Sequence, residues 1–100
     1  MGELSAVLPK SWEECRNIGP RSAVWLRVAG LDCPLALLEI GPVGSYLAVR
    51  ASGVDASLNL LWALAGAMHD CHWAALDPGV REGLLREMDA RMEFMKGDSP

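Results

Sequence analysis

The chain has 100 residues, half of them apolar and about a fifth charged, with a net charge of −4. That is the size and balance of one soluble domain able to bury a core without metal or disulfide help. The charge excludes a whole-protein electrostatic pull on nucleic acid, since residues 1–50 cancel to zero and the acidity lies in the second half. A membrane span is excluded too: the longest apolar run, Leu60–Met68, falls well short of the ~18 residues a span requires.

Leu and Ala dominate, Thr and Gln are absent, and β-branched residues are scattered, a composition that favours helix over strand. Residues 1–10 have no clear period and read as a lead-in. Met1-Gly2-Glu3-Leu4 lacks the basic region and apolar block of a secretory signal, and Glu3 argues against myristoylation of Gly2. Ser11 is placed as an N-cap with Glu14 completing a capping box, so that Trp12 and Cys15 form one apolar side of a short helix. Ile18-Gly19-Pro20 stops it, and Pro20 fits the first position of the next helix, where a missing N–H costs nothing. That helix runs from about Arg21 to Ala29, buries Ala23 and Leu26 with Trp25 beside them, and ends at Gly30.

Pro34 opens a third helix through Leu35, Leu37 and Leu38, and Ile40-Gly41-Pro42 turns it into a fourth bearing Tyr46, Leu47 and Val49. Ser52-Gly53 closes that helix, and Asp55 or Ser57 caps the fifth. Leu58, Leu60, Leu61, Leu64 and Met68 make the fifth apolar nearly all round, hence the most buried. Gly66 inside it costs about 1 kcal/mol relative to Ala, which a close helix–helix contact would explain. Asp77-Pro78 starts a last helix of about 18 residues, with Glu82–Arg86 and Glu87–Arg91 on a solvated face and Val80, Leu84, Met88, Met92 and Met95 on the other. Residues 97–100 read as a disordered tail.

Three cysteines, Cys15, Cys33 and Cys71, cannot all pair within one chain, and none forms a Cys-x-x-Cys motif. Reduced thiols in a cytoplasmic protein are the simplest reading. His69-Asp70-Cys71-His72 is the one cluster of metal-type ligands, but neighbours on a helix point about 100° apart and do not converge on one ion. No elbow or activating motif frames a cysteine or histidine for nucleophilic work. The expectation is no catalytic residue, no metal, no cofactor and no small-molecule substrate.

The tripeptide Ile-Gly-Pro is repeated at an offset of 22 residues, each copy between two apolar stretches. Trp12, Cys15, Ile18, Gly19, Ala23 and Leu26 have the spacing of a helix-hairpin-helix unit, with Asn17 at the first glycine position. Asn is the non-glycine residue that best tolerates a left-handed turn. The second copy has Glu39 and Val43 where the first has Asn17 and Arg21, so it reads as scaffold. In the first, Arg16, Asn17, Ile18, Gly19 and Arg21 are candidates to hold a nucleic-acid phosphate on backbone N–H groups and two guanidinium groups. The alternative is that Gly19 and Pro20 only shape the turn while the arginines pair with Glu13 and Glu14.

A broader resemblance covers roughly residues 14–86. Arg16-Asn17-Ile18-Gly19-Pro20-Arg21-Ser22, Trp25-Leu26, Gly30-Leu31, Ile40-Gly41-Pro42-Val43, Tyr46, Ser57 to Leu64, Gly66-Ala67 and His72-Trp73 resemble, in this order, the C-terminal domain of the TfoX (Sxy) competence-regulator family. The resemblance implies a bacterial regulator with an all-helical fold related to helix-hairpin-helix and SAM-like domains. Such a domain is usually joined to an N-terminal α/β domain, so this chain reads as a stand-alone copy. Ala65 stands where the family often has Glu, and the helix after Pro78 is longer than usual.

The expected architecture is therefore an all-α, compact five- or six-helix domain over residues 11–96, built on two helix-hairpin-helix-like units. The expected function is a non-enzymatic regulatory or adaptor module working through protein–protein contact, with a protein partner or a second copy meeting Met88, Met92 and Met95. Weak, non-sequence-specific binding of a DNA or RNA backbone by the first hairpin is the alternative.

Overall fold

In the computed structural model, which describes residues 8–97 and side chains through Glu93, all regular structure is helical. Four α-helices follow one another: α1 (Pro20–Val28), α2 (Ala36–Ala51), α3 (Leu58–Met68) and α4 (Pro78–Gly97). Two 3-10 turns, Trp12–Glu14 and Trp73–Ala75, precede α1 and α4. The lead-in over 1–7, the tail over 98–100 and the Met95 side chain lie outside the described residues.

The helix count is four where five or six were expected, for two local reasons. Ser11 makes no side-chain cap bond, so the first segment closes only as a 3-10 turn, with Glu14 N–H donating to the Ser11 carbonyl at 3.2 Å. The first hairpin thus has one helical arm. The second Ile-Gly-Pro lies inside α2 as a kink: Gly41 alone leaves helical geometry, at φ 78 and ψ 169. Pro42 has no N–H to continue the ladder there. The buried Ser45 Oγ donates to the Gly41 carbonyl at 2.9 Å, a side-chain bond four residues back that secures the first turn after the kink.

The repeated tripeptide therefore does not give a repeated turn. In the first copy Asn17 carries the positive φ, 74°, and Gly19 is an ordinary extended N-cap at φ −87. In the second the offset partner of Asn17, Glu39, is helical, and Gly41 turns the chain.

The core forms around α3, where Leu60, Leu61, Leu64 and the run from Ala63 to Ala67 are buried. Trp12, Leu26, Leu37, Val43, Tyr46 and Val49 pack into the same cluster. Each such aliphatic or aromatic burial contributes about 1.5–3 kcal/mol. Ser57 caps α3, its Oγ accepting from Asn59 N–H at 3.3 Å, and Asp77 caps α4 through Gly79 N–H at 3.1 Å. Trp12 is wholly buried, so its indole needs a partner, and it donates to the Leu31 carbonyl at 2.8 Å.

α4 is attached differently. Leu84 and Met88 pack against the core cluster but are only half-buried. No described side chain of this 20-residue helix is fully buried. The expected pairs Glu82–Arg86 (3.4 Å) and Glu87–Arg91 (2.5 Å) lie on its surface and contribute little each.

Candidate functional site

The first hairpin was the expected phosphate site, and the fold uses most of it. Asn17 takes the left-handed turn and points its amide across to the segment after α3. Its Nδ2 donates to the Cys71 carbonyl at 2.9 Å, and its Oδ1 accepts from Trp73 N–H at 3.3 Å. A longer bond runs from Nδ2 to the Ala63 carbonyl at 3.4 Å. Arg16 donates to the Asp70 carbonyl at 3.3 Å and lies 3.8 Å from its carboxylate, which places a negative charge where a phosphate would sit. Ile18 is buried. Gly19 and Arg21 remain exposed. Among the described residues, Arg21 has no ion pair or side-chain hydrogen bond.

The arginine–glutamate pairing takes a different form from the one expected. Glu13 pairs with Arg27 on α1, and that hydrogen-bonded guanidinium lowers its carboxyl pKa from 4.5 to about 2. Among the described residues no group of three or more His, Cys, Asp or Glu is placed to hold a metal ion. His72 instead accepts from Ala74 N–H at 3.1 Å through Nδ1, capping the second 3-10 turn. Cys15 is buried, and desolvation pushes its thiol from 9.0 up to about 11.

Two clefts open on one side of the molecule, and they share a rim. One, of about 370 Å³, lies between α1, the start of α3 and the second 3-10 turn, with Trp25 and Trp73 among its walls. The other, of about 340 Å³, lies between α2, the start of α3 and α4, walled by Tyr46, Leu58, Met88 and Met92. Asp55 and Ser57 line both. Three large apolar side chains left in water border them: Leu58 at 38%, Trp73 at 37% and Met92 at 38% exposure.

The backbone of this face is hydrogen-bonded from behind. Trp73 is fixed on both sides of its peptide, by Asn17 at its N–H and by Arg81, whose Nη2 donates to its carbonyl at 2.9 Å. The Arg81 guanidinium also lies over the Trp62 ring, 5.3 Å from its centroid. In the second cleft Arg50 donates to the Tyr46 hydroxyl and to the Ala56 carbonyl, both at 3.2 Å. The Tyr46 bond raises the Arg50 pKa. Asp55 has only a 4.0 Å pairing with Arg50, and its side chain is 99% exposed.

Of the expected partner-binding methionines, Met88 and Met92 come together in the second cleft, Met88 completing the core on one side of it. Trp25, Trp73, Leu58 and Asp55 were not expected there. No local sequence pattern pointed to them, because their proximity is set by packing between elements distant in the chain.

A family model described as the TfoX C-terminal domain matches residues 9–88. No curated protein and no solved structure matches the chain.

Proposed function

The chain belongs to the TfoX C-terminal domain family, and on that footing we propose that it is a non-enzymatic regulatory or adaptor module that docks a protein on its paired clefts. One observation carries this: Leu58, Trp73 and Met92, each more than a third exposed, border two clefts that meet at Asp55 and Ser57. Exposed apolar side chains bordering clefts with a polar rim fit protein contact. Met88 and Met92 supply flexible contact surface, and Trp73, whose peptide is held on both sides, is an aromatic residue of the kind found at interface centres.

The test is the size of the native complex. On gel filtration of a fresh extract of its own cells, the wild-type chain is expected to elute well above its 10.8 kDa. Leu58→Lys with Met92→Lys, folded by circular dichroism, is expected to elute alone. A wild-type chain eluting alone contradicts docking.

Weak binding of a DNA or RNA backbone at the first hairpin is the second reading, supported by the exposed Gly19 and Arg21 and the N–H groups that open α1. It predicts duplex binding at low salt that falls steeply as salt rises and is lost in Arg21→Glu.

A further inference from the structure

We propose that the occupant of the paired clefts is a basic amphipathic segment of a partner protein, with Asp55 receiving its lysine or arginine; this rests on docking at this face. The charge at the face selects the occupant. The two clefts are lined by two charged residues, Asp55 and Arg50. The Arg50 guanidinium is already held by the Tyr46 hydroxyl and the Ala56 carbonyl and lies 5.9 Å from the Tyr46 ring centroid. Asp55 sits on the shared rim with its side chain 99% exposed and only a 4.0 Å pairing, against 44% exposure for the Arg50 side chain, so its charge is the more accessible of the two to a partner. The indoles of Trp25 and Trp73 border the same cleft, and aromatic faces attract cations and repel anions.

The order of surfaces across the face is aromatic, acidic, then methionine-lined. Its complement is a segment that reads apolar, basic, apolar at the spacing of a helix face. An acidic segment would bring like charge to Asp55, and the excess negative charge of residues 51–100 adds to that penalty.

The experiment uses the full chain and two probes, an 18-residue amphipathic Leu/Lys helix peptide and its Leu/Glu twin, followed by tryptophan fluorescence. The Lys peptide is expected to bind at least tenfold tighter. Asp55→Lys is expected to reverse that preference. Asp89→Lys, an equal charge change at an exposed site lining neither cleft, is expected to leave it in place. Trp73→Ala is expected to weaken both peptides. Equal binding of the two peptides, or a preference that Asp89→Lys reverses as fully as Asp55→Lys does, overturns the basic occupant while leaving docking intact. No binding of either peptide together with a dimer in light scattering overturns it in favour of a second copy. No binding by a chain that also stays monomeric overturns the basic occupant, and docking at this face is then decided by elution of the native complex.

Discussion

A Cβ on Gly66 would stand 2.6 Å from Nδ2 of Asn17. The glycine in the most buried helix and the asparagine in the first hairpin are therefore one device. Sequence reasoning placed a helix–helix crossing at Gly66. What approaches instead is the Asn17 amide and the returning backbone, with the Cys71 carbonyl at 2.8 Å and Trp73 Cα at 3.3 Å. Asn17 can bond to the Cys71 and Trp73 peptides only because nothing projects from Gly66 into that space. Those bonds in turn hold the Trp73 backbone beside the first cleft.

Gly66→Ala should destabilise the fold by up to about 2 kcal/mol. Overpacking costs about 1–3 kcal/mol, and the helix-propensity gain of about 1 kcal/mol returns part of it. The crowding atoms include backbone, which cannot turn aside. Urea denaturation read by tryptophan fluorescence checks this; a stabilised Ala variant would refute the close approach.

Asn17→Ala should cost about 2–3 kcal/mol, since it strands the Trp73 N–H and the Cys71 carbonyl and forces Ala into a left-handed turn. Asn17→Gly loses the same bonds but keeps the turn, and should be about 1 kcal/mol milder. Equal losses in the two variants would mean that φ 74 carries no strain.

The two Ile-Gly-Pro copies should respond oppositely to the same substitution. Gly19→Ala meets no atom within 4 Å at an unstrained φ, and reduced unfolded-state entropy offsets the poorer cap, so stability should hold to about 0.5 kcal/mol. Gly41→Ala must enter a region essentially reserved for glycine and should cost about 1–3 kcal/mol. Thermal melts of the pair decide it, and a Gly19 variant that loses more than the Gly41 variant reverses the assignment.

Much of this fold was legible from periodicity and punctuation. Pro20 opens α1, Ser57 caps α3, Asp77-Pro78 starts α4, and the all-round apolar stretch from Leu58 is the core helix, because each depends on local chemistry. The short segment at Ser11 was misjudged because a capping box needs a helix long enough to present it, and three residues are too few. At the second Ile-Gly-Pro the expected interruption is present, since Gly41 at φ 78 and ψ 169 leaves helical geometry, but it is a one-residue kink within α2 and not a hairpin. The paired clefts were not legible at all. They bring together Trp25, Asp55, Trp73 and Met92, and only the packing of α1, α3, α4 and the second 3-10 turn sets that proximity. Asn17 was read as a turn former that left its amide free. Its bonds to residues 71 and 73 are long-range and leave no local pattern.

Cys15 should resist a thiol reagent at pH 8 while Cys33 and Cys71, both only half-buried, react; denaturant should release the third thiol. Its folded-state pKa, raised from 9.0 to about 11 by desolvation, means the native state holds its proton longer than the unfolded chain. This contribution to stability is intact below pH 9 and is lost as pH rises toward 11. Prompt reaction of all three thiols in the native protein would show the core around Trp12 to be open.

Site-specific photocross-linking in the chain's own cells tests docking on the paired clefts most directly. A benzophenone side chain replaces Leu58 or Met92 at the clefts, Arg21 at the first hairpin, or Val28, which is 67% exposed and lines neither cleft. Positions 58 and 92 should give the same discrete protein adduct, and positions 21 and 28 should not. Nucleic-acid adducts at position 21, with no protein adduct at 58 or 92, would contradict protein docking and return the function to the hairpin.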